Sequence, residues 1–185
     1  MLPTWGVFAG PAHGAVAGVA FVLLLGAVCV SDLRTRRIPN KLVLVIAVLG
    51  TLYSVAALPV LPGLAKALGG LAVGLALWFP FYVLRMLGAG DVKFFAAAST
   101  WIGASAALQA ALASALMGGV LAILWLAGRA GWQLLGRQRA AHAARTQTLG
   151  TTEPAAPAGG KLPYGVAMAA GLALVFWFPG FLRAA

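Results

Sequence analysis

The sequence predicts an all-α, polytopic integral membrane protein with six transmembrane helices and both termini outside. Three observations point there. Only 9% of the 185 residues are charged and 62% are hydrophobic, whereas a soluble domain carries about 25% charged residues. The apolar residues fall in runs long enough for helices that cross a hydrocarbon core, which takes about 20 residues each. The thirteen Lys and Arg gather in short segments between alternate runs, the pattern of cytoplasmic loops.

The helices follow in order. The first uncharged stretch covers 1–31 and is followed, not preceded, by basic residues. It therefore reads as a signal-anchor helix over about 12–31 and not as a cleaved leader. The second helix covers about 42–58 and ends at the turn formed by Pro59 and Pro62. The third covers about 65–85. Thirty-five uncharged residues then separate Lys93 from Arg129, too many for one ordinary span. Gly103, Ala104 and Ser105 mark a turn that gives two helices, 93–103 and 105–128. The last helix covers about 162–181.

Six spans place Arg34, Arg36, Arg37, Lys41, Arg85, Lys93, Arg129, Arg137, Arg139, Arg145 and Lys161 inside, and only Lys66 and Arg183 outside. One span in place of two would put five of those cations outside, against the positive-inside rule. The segment 129–161 holds four Arg and then Gly150-Thr151-Thr152-Glu153-Pro154. It reads as a flexible cytoplasmic loop within a single transmembrane domain, 1–185. Gly14-x-x-x-Gly18 and Gly70-x-x-x-Gly74 have the spacing that lets membrane helices approach closely.

Composition removes several function classes. A net charge of +10, set in loops beside apolar runs, points to anionic lipid headgroups as the partner and not to nucleic acid. The one cysteine, Cys29, lies in an apolar run and allows neither an intrachain disulfide nor a Cys-cluster zinc site. His13 and His142 lie in different segments. No metal and no cofactor is expected.

The chain has three acidic residues: Asp32, Asp91 and Glu153. Glu153 reads as a solvated loop charge. Asp32 ends the first helix, and Asp91 follows Gly88-Ala89-Gly90 at the end of the third. Both helices run outside to inside, so both acids arrive at the cytoplasmic boundary. Either one alone reads equally well as a helix cap or as a partner for Arg34, Arg36 or Lys93. Both together, in a chain nearly free of acids, point to function. Gly88 and Gly90 are expected to break the helix and leave room for water. Two close carboxylates share one proton, and such a pair activates water against a peptide carbonyl.

These residues resemble a known family. Gly88-Ala89-Gly90-Asp91 is similar to the GxGD motif of membrane aspartic proteases. Asp32-Leu33-Arg34-Thr35-Arg36-Arg37-Ile38-Pro39-Asn40 resembles the first-aspartate segment of type IV prepilin leader peptidases. Gly88 to Lys93 resembles their second-aspartate segment, and Pro163-Tyr164-Gly165 a short motif that opens their last helix. The resemblance implies that Asp32 and Asp91 are the catalytic dyad, with Gly88, Gly90, Lys93, Pro39 and Asn40 supporting. It implies a bacterial cytoplasmic-membrane endopeptidase that removes the short leader from type IV prepilin-like precursors. Larger members carry paired CxxC motifs and also methylate the new N-terminus. With one cysteine, this chain resembles the compact form of Flp/Tad-type pilus systems, and methyl transfer is not expected of it. Two other readings stay open at this point: a proton- or cation-coupled transporter with the two Asp as carrier sites, and a non-catalytic pilus or secretion assembly subunit.

Overall fold

The computed structural model describes residues 13–146 and 164–177. Among the described residues every regular element is a helix: α1 (His13–Thr35), α2 (Asn40–Ala57), α3 (Val60–Val83), α4 (Ala89–Ile102), α5 (Ala104–Thr146) and α6 (Tyr164–Trp177). Among the described residues four helical stretches are long and apolar enough to cross a bilayer: Val16–Thr35, Asn40–Ala57, Val60–Val83 and Ala104–Gly131. Their outer faces leave large apolar side chains exposed, among them Val19, Leu23, Leu44, Leu52, Leu68 and Leu112. Lipid, not water, is the solvent that suits such a surface. The protein is an all-α polytopic membrane protein. Helix α4 and the described part of α6 have 14 residues each, which is about 21 Å of helix.

The described residues form two units. One comprises residues 13–118 with 164–177, and the other residues 119–146. In the first, α4 is the centre. Every residue from Phe94 to Ile102 is buried, and a helix apolar all round belongs in a core. Its polar side chains are satisfied where they lie: Ser99 Oγ donates to the Phe95 carbonyl at 2.8 Å and Thr100 Oγ1 to Ala97 at 2.7 Å. Trp101 Nε1 donates to the Ile46 carbonyl of α2 at 2.9 Å.

Glycines set how near the neighbours come. Gly70 and Gly74 of α3 face α4: an added Cβ would collide with the Ser99 carbonyl at Gly70, and would sit 3.0 Å from Ala96 Cα at Gly74. The spacing seen in the sequence thus serves contact within one chain. Gly103, at the end of α4, has φ 83°, a conformation that favours glycine. In the second unit α5 continues as helix, and the Arg129 guanidinium lies 5.1 Å from the centre of the Trp125 ring.

Several boundaries differ from the sequence-based expectation. Helix α1 runs past Asp32 to Thr35, whose hydroxyl donates to the Ser31 carbonyl at 2.9 Å, and the chain leaves it at Arg36, with φ 51°. Helix α2 begins at Asn40 because Pro39, extended at its N-cap, offers its carbonyl to the Leu42 and Val43 amides. Helix α3 begins at Val60, since Pro62 in a first turn lacks only an N–H that would have no partner there. Helix α4 begins at Ala89, not near residue 93. Gly88-Ala89-Gly90-Asp91 therefore opens a helix, and the break lies upstream at Arg85, with φ 59°. Asp91 belongs to the start of α4 and not to the end of α3.

Residues 129–146 form the last part of α5 and not a loop. Their Ala, Arg, Gln and Leu content favours helix, and no proline occurs between Arg129 and Glu153. Residues 147–161, including Glu153 and Lys161, lie outside the described residues. So do Pro163, Arg183 and the outer ends expected of the first and last helices.

Candidate active site

Asp32 enters the site from the last turn of α1 and is only 5% exposed. Its Oδ2 is buried without a hydrogen-bond partner. The first turn of α6 lies against it. A Cβ added at Gly165 would stand 2.8 Å from Asp32 Oδ2 and 3.1 Å from Cγ, so a side chain at 165 would displace the carboxyl. The backbone N–H groups of Gly165 and Val166 face that carboxyl.

Asp91 enters from the first turn of α4, outside the four long apolar helices. Its Oδ2 accepts from the Gly88 N–H at 3.3 Å, the reach of an N-terminal helix cap. Burial first, and then the negative charge of Asp32, push its carboxyl up to about 6. The acids are 59 positions apart in sequence, yet near enough for one to act on the other's charge. Tyr164, one residue before Gly165, lies near enough to Asp91 to feel its charge as well.

The remaining candidate residues divide. Gly88 caps α4 and supplies the N–H to Asp91. Gly90 lies against Ile38, with 3.5 Å between its would-be Cβ and Ile38 Cβ. That contact ties the α1–α2 connection to the start of α4. Pro39 works at one remove, as the extended N-cap of α2. Lys93 and Asn40 are both exposed. They line a cavity of about 350 Å³ between α2, α3 and α4, together with Val43, Leu71 and Ala97.

The sequence had marked Tyr164 and Gly165 only as part of a motif. The structure makes them neighbours of the two acids. A second cavity, about 290 Å³, lies against Tyr164 and is lined by Leu77, Trp78, Phe81, Leu87 and Leu112. Trp78 Nε1 is buried there without a hydrogen-bond partner.

A helical membrane bundle with two acids from separate helices, gathered at the start of a third, defines a polytopic protein with a paired-carboxylate site. The chain belongs to the type IV leader peptidase family, whose profile matches residues 19–123. Both aspartates fall inside that stretch. The chain is similar to the prepilin leader peptidase/N-methyltransferase of Xanthomonas campestris pv. campestris, 33% identical over 128 residues. The match covers 64% of this chain and 42% of that relative, so the chain spans less than half the length of the curated relative it matches. No solved structure matches it.

Proposed function

We propose that this protein is a membrane aspartic endopeptidase that removes the short leader from type IV prepilin-like precursors, of the Flp/Tad type, at the cytoplasmic face of the bacterial inner membrane. The observation that carries this reading is the pairing of Asp32 with Asp91 in a member of a leader peptidase family. Peptide hydrolysis needs one group to take a proton and one to give it. The ionised carboxylate of the pair takes a proton from water as the water oxygen attacks the peptide carbonyl. The protonated carboxyl gives its proton to the carbonyl oxygen, leaving a tetrahedral diol. A proton then passes to the leaving amine, the C–N bond breaks, and a free acid and a free amine remain.

The location of the pair suits this substrate. Arg34, Arg36 and Arg37 follow Asp32 within five positions, and Arg85 precedes Asp91; such cations mark the cytoplasmic side. A leader joins its own membrane helix at that level. The apolar cavity beside Tyr164 offers that helix a lining next to the acids. A carrier protein would hold its acids near the bilayer midplane, whereas Asp32 is in the last turn of α1 and Asp91 in the first turn of α4.

Co-expression with a type IV prepilin tests the proposal. The wild-type chain is expected to shorten the prepilin by its leader, and an unshortened prepilin beside well-folded protein refutes the reading.

The rate is also expected to depend on pH. Asp91, raised to about 6, keeps its proton below that value and loses it above. The pair needs one proton, so cleavage of a prepilin peptide in detergent should fall as pH rises through about 6, by about tenfold per unit once well above it. A rate that stays level from about pH 5 to about pH 8 contradicts a proton-sharing pair.

A further inference from the structure

Asp91 and Lys93 leave the same helix in nearly opposite directions. Two positions turn an α-helix by about 200°. Asp91 lies on the α4 face toward Asp32, and Lys93 on the face that closes a cavity of about 350 Å³ with α2 and α3. We propose that this cavity holds one anionic phospholipid, with its phosphate on Lys93 and Asn40 and an acyl chain along α2. The site is separate from the paired acids, and the inference goes beyond the peptidase reading.

The cavity is polar at one end only. Asn40 is the first residue of α2, and Lys93 lies near the start of α4. Both are exposed. Val43 and Ala47 follow one and two turns along α2, and Ala97 one turn beyond Lys93. The apolar part therefore extends about 10 Å from Asn40. Buried Ala96 and Ala97 form its floor, while exposed Leu44 and Leu75 stand at its rim. On the surface of a membrane helix bundle, such a groove is open to lipid chains. A phospholipid presents the same order, charge first and hydrocarbon next.

Lys93 needs its counter-ion from outside the chain. Of the three acids, Glu153 lies outside the described residues, and neither aspartate lines the cavity. Among the described residues Lys93 makes no ion pair. The charges near Asn40 in sequence, Arg36, Arg37 and Lys41, are all positive. Cations at this level attract anionic headgroups, and the Asn40 amide can donate a hydrogen bond to a phosphate oxygen. A zwitterionic headgroup such as phosphoethanolamine brings an ammonium of its own against them. A prepilin helix, to be cut, must lie against the opposite face of α4, where the acids are.

Native mass spectrometry of the purified protein in detergent tests the site, with dioleoylphosphatidylglycerol and dioleoylphosphatidylethanolamine as probes. One phosphatidylglycerol should stay bound, in preference to phosphatidylethanolamine by about fivefold, the factor that one lysine carries beside anionic lipid. Lys93→Gln should bring that ratio to about one. Arg129→Gln, at a residue that does not line the cavity, should leave it unchanged. Ala47→Leu, which fills the groove, should lower retention of both lipids. Glycerol phosphate, a headgroup without chains, should not displace the lipid. Equal retention of the two lipids by the wild-type chain, or of neither, overturns the proposal, as does a ratio that Lys93→Gln leaves unchanged or that Arg129→Gln lowers equally. Full retention in a folded Ala47→Leu, or displacement by glycerol phosphate, overturns the place of the acyl chain. Displacement by added prepilin, or a dimer that Ala47→Leu breaks, gives the groove to another occupant and overturns the assignment. The Lys93→Gln measurement stands even if Ala47→Leu fails to fold. Bound lipid is read without any cleavage, so a failure here is distinct from a failure of the peptidase reading.

Discussion

Asp91→Asn is expected to abolish leader cleavage, by about a thousandfold or more, while the protein still folds and inserts. General acid–base groups are worth about a hundred- to ten-thousandfold in rate, and here the same residue also completes the pair that shares the proton. An amide still donates a hydrogen bond to a carbonyl oxygen, but it can neither release nor regain a proton, so the tetrahedral intermediate cannot be fed or resolved. Asp32→Asn should be as damaging, because no other acid among the described residues lies beside Asp91. Folding should survive both changes. Asn has the shape of Asp, and it removes a charge that burial disfavours. The α4 cap at Gly88 uses an oxygen acceptor that Asn keeps. The measurement is the gel shift of a co-expressed prepilin, with melting in detergent as the control for folding. A variant that processes prepilin at the normal rate removes that aspartate from the chemistry.

The acids were legible because the chain has so few of them. Asp32 and Asp91 were the only carboxylates beside apolar runs, and their loops carried the basic bias. Their partner helices were not legible. Gly88 and Gly90 read as helix breakers by propensity, yet Gly88 is an N-cap and Gly90 sits inside the first turn of α4. The actual break is at Arg85, a residue type with no turn signal. The segment after Arg129 misled for a related reason. Its charge marked it as a loop, while its Ala- and Arg-rich content carries helix to Thr146. Gly165 was the hardest to see, because a glycine has no side chain to advertise chemistry. Its role exists only once α6 is laid against α1, a contact between residues more than a hundred positions apart.

Gly70→Ala is expected to destabilise the bundle sharply. The methyl it adds would collide with the Ser99 carbonyl oxygen and come within 2.8 Å of the Ser99 carbonyl carbon and 3.1 Å of Gly103 Cα. These are backbone atoms of the central helix, so no side-chain rotation relieves the clash. Overpacking of a core typically costs about 1–3 kcal/mol, and a clash with fixed backbone belongs at the upper end. Helix propensity acts in the opposite direction, since Ala is favoured over Gly by about 1 kcal/mol in a helix. The size of the steric term therefore decides the sign. Gly69→Ala supplies the comparison on the same helix, where the new methyl meets only Ala104 Cβ at 3.7 Å, an ordinary contact. That variant keeps the propensity gain without the clash and should melt at or above the wild-type temperature. Melting followed by tryptophan fluorescence in detergent tests both. If Gly70→Ala melts with Gly69→Ala, the close approach of α3 to α4 is wrong. Because α4 carries Asp91, the loss should appear in cleavage as well, in proportion to the fraction folded, with no change in the pH profile of the protein that remains.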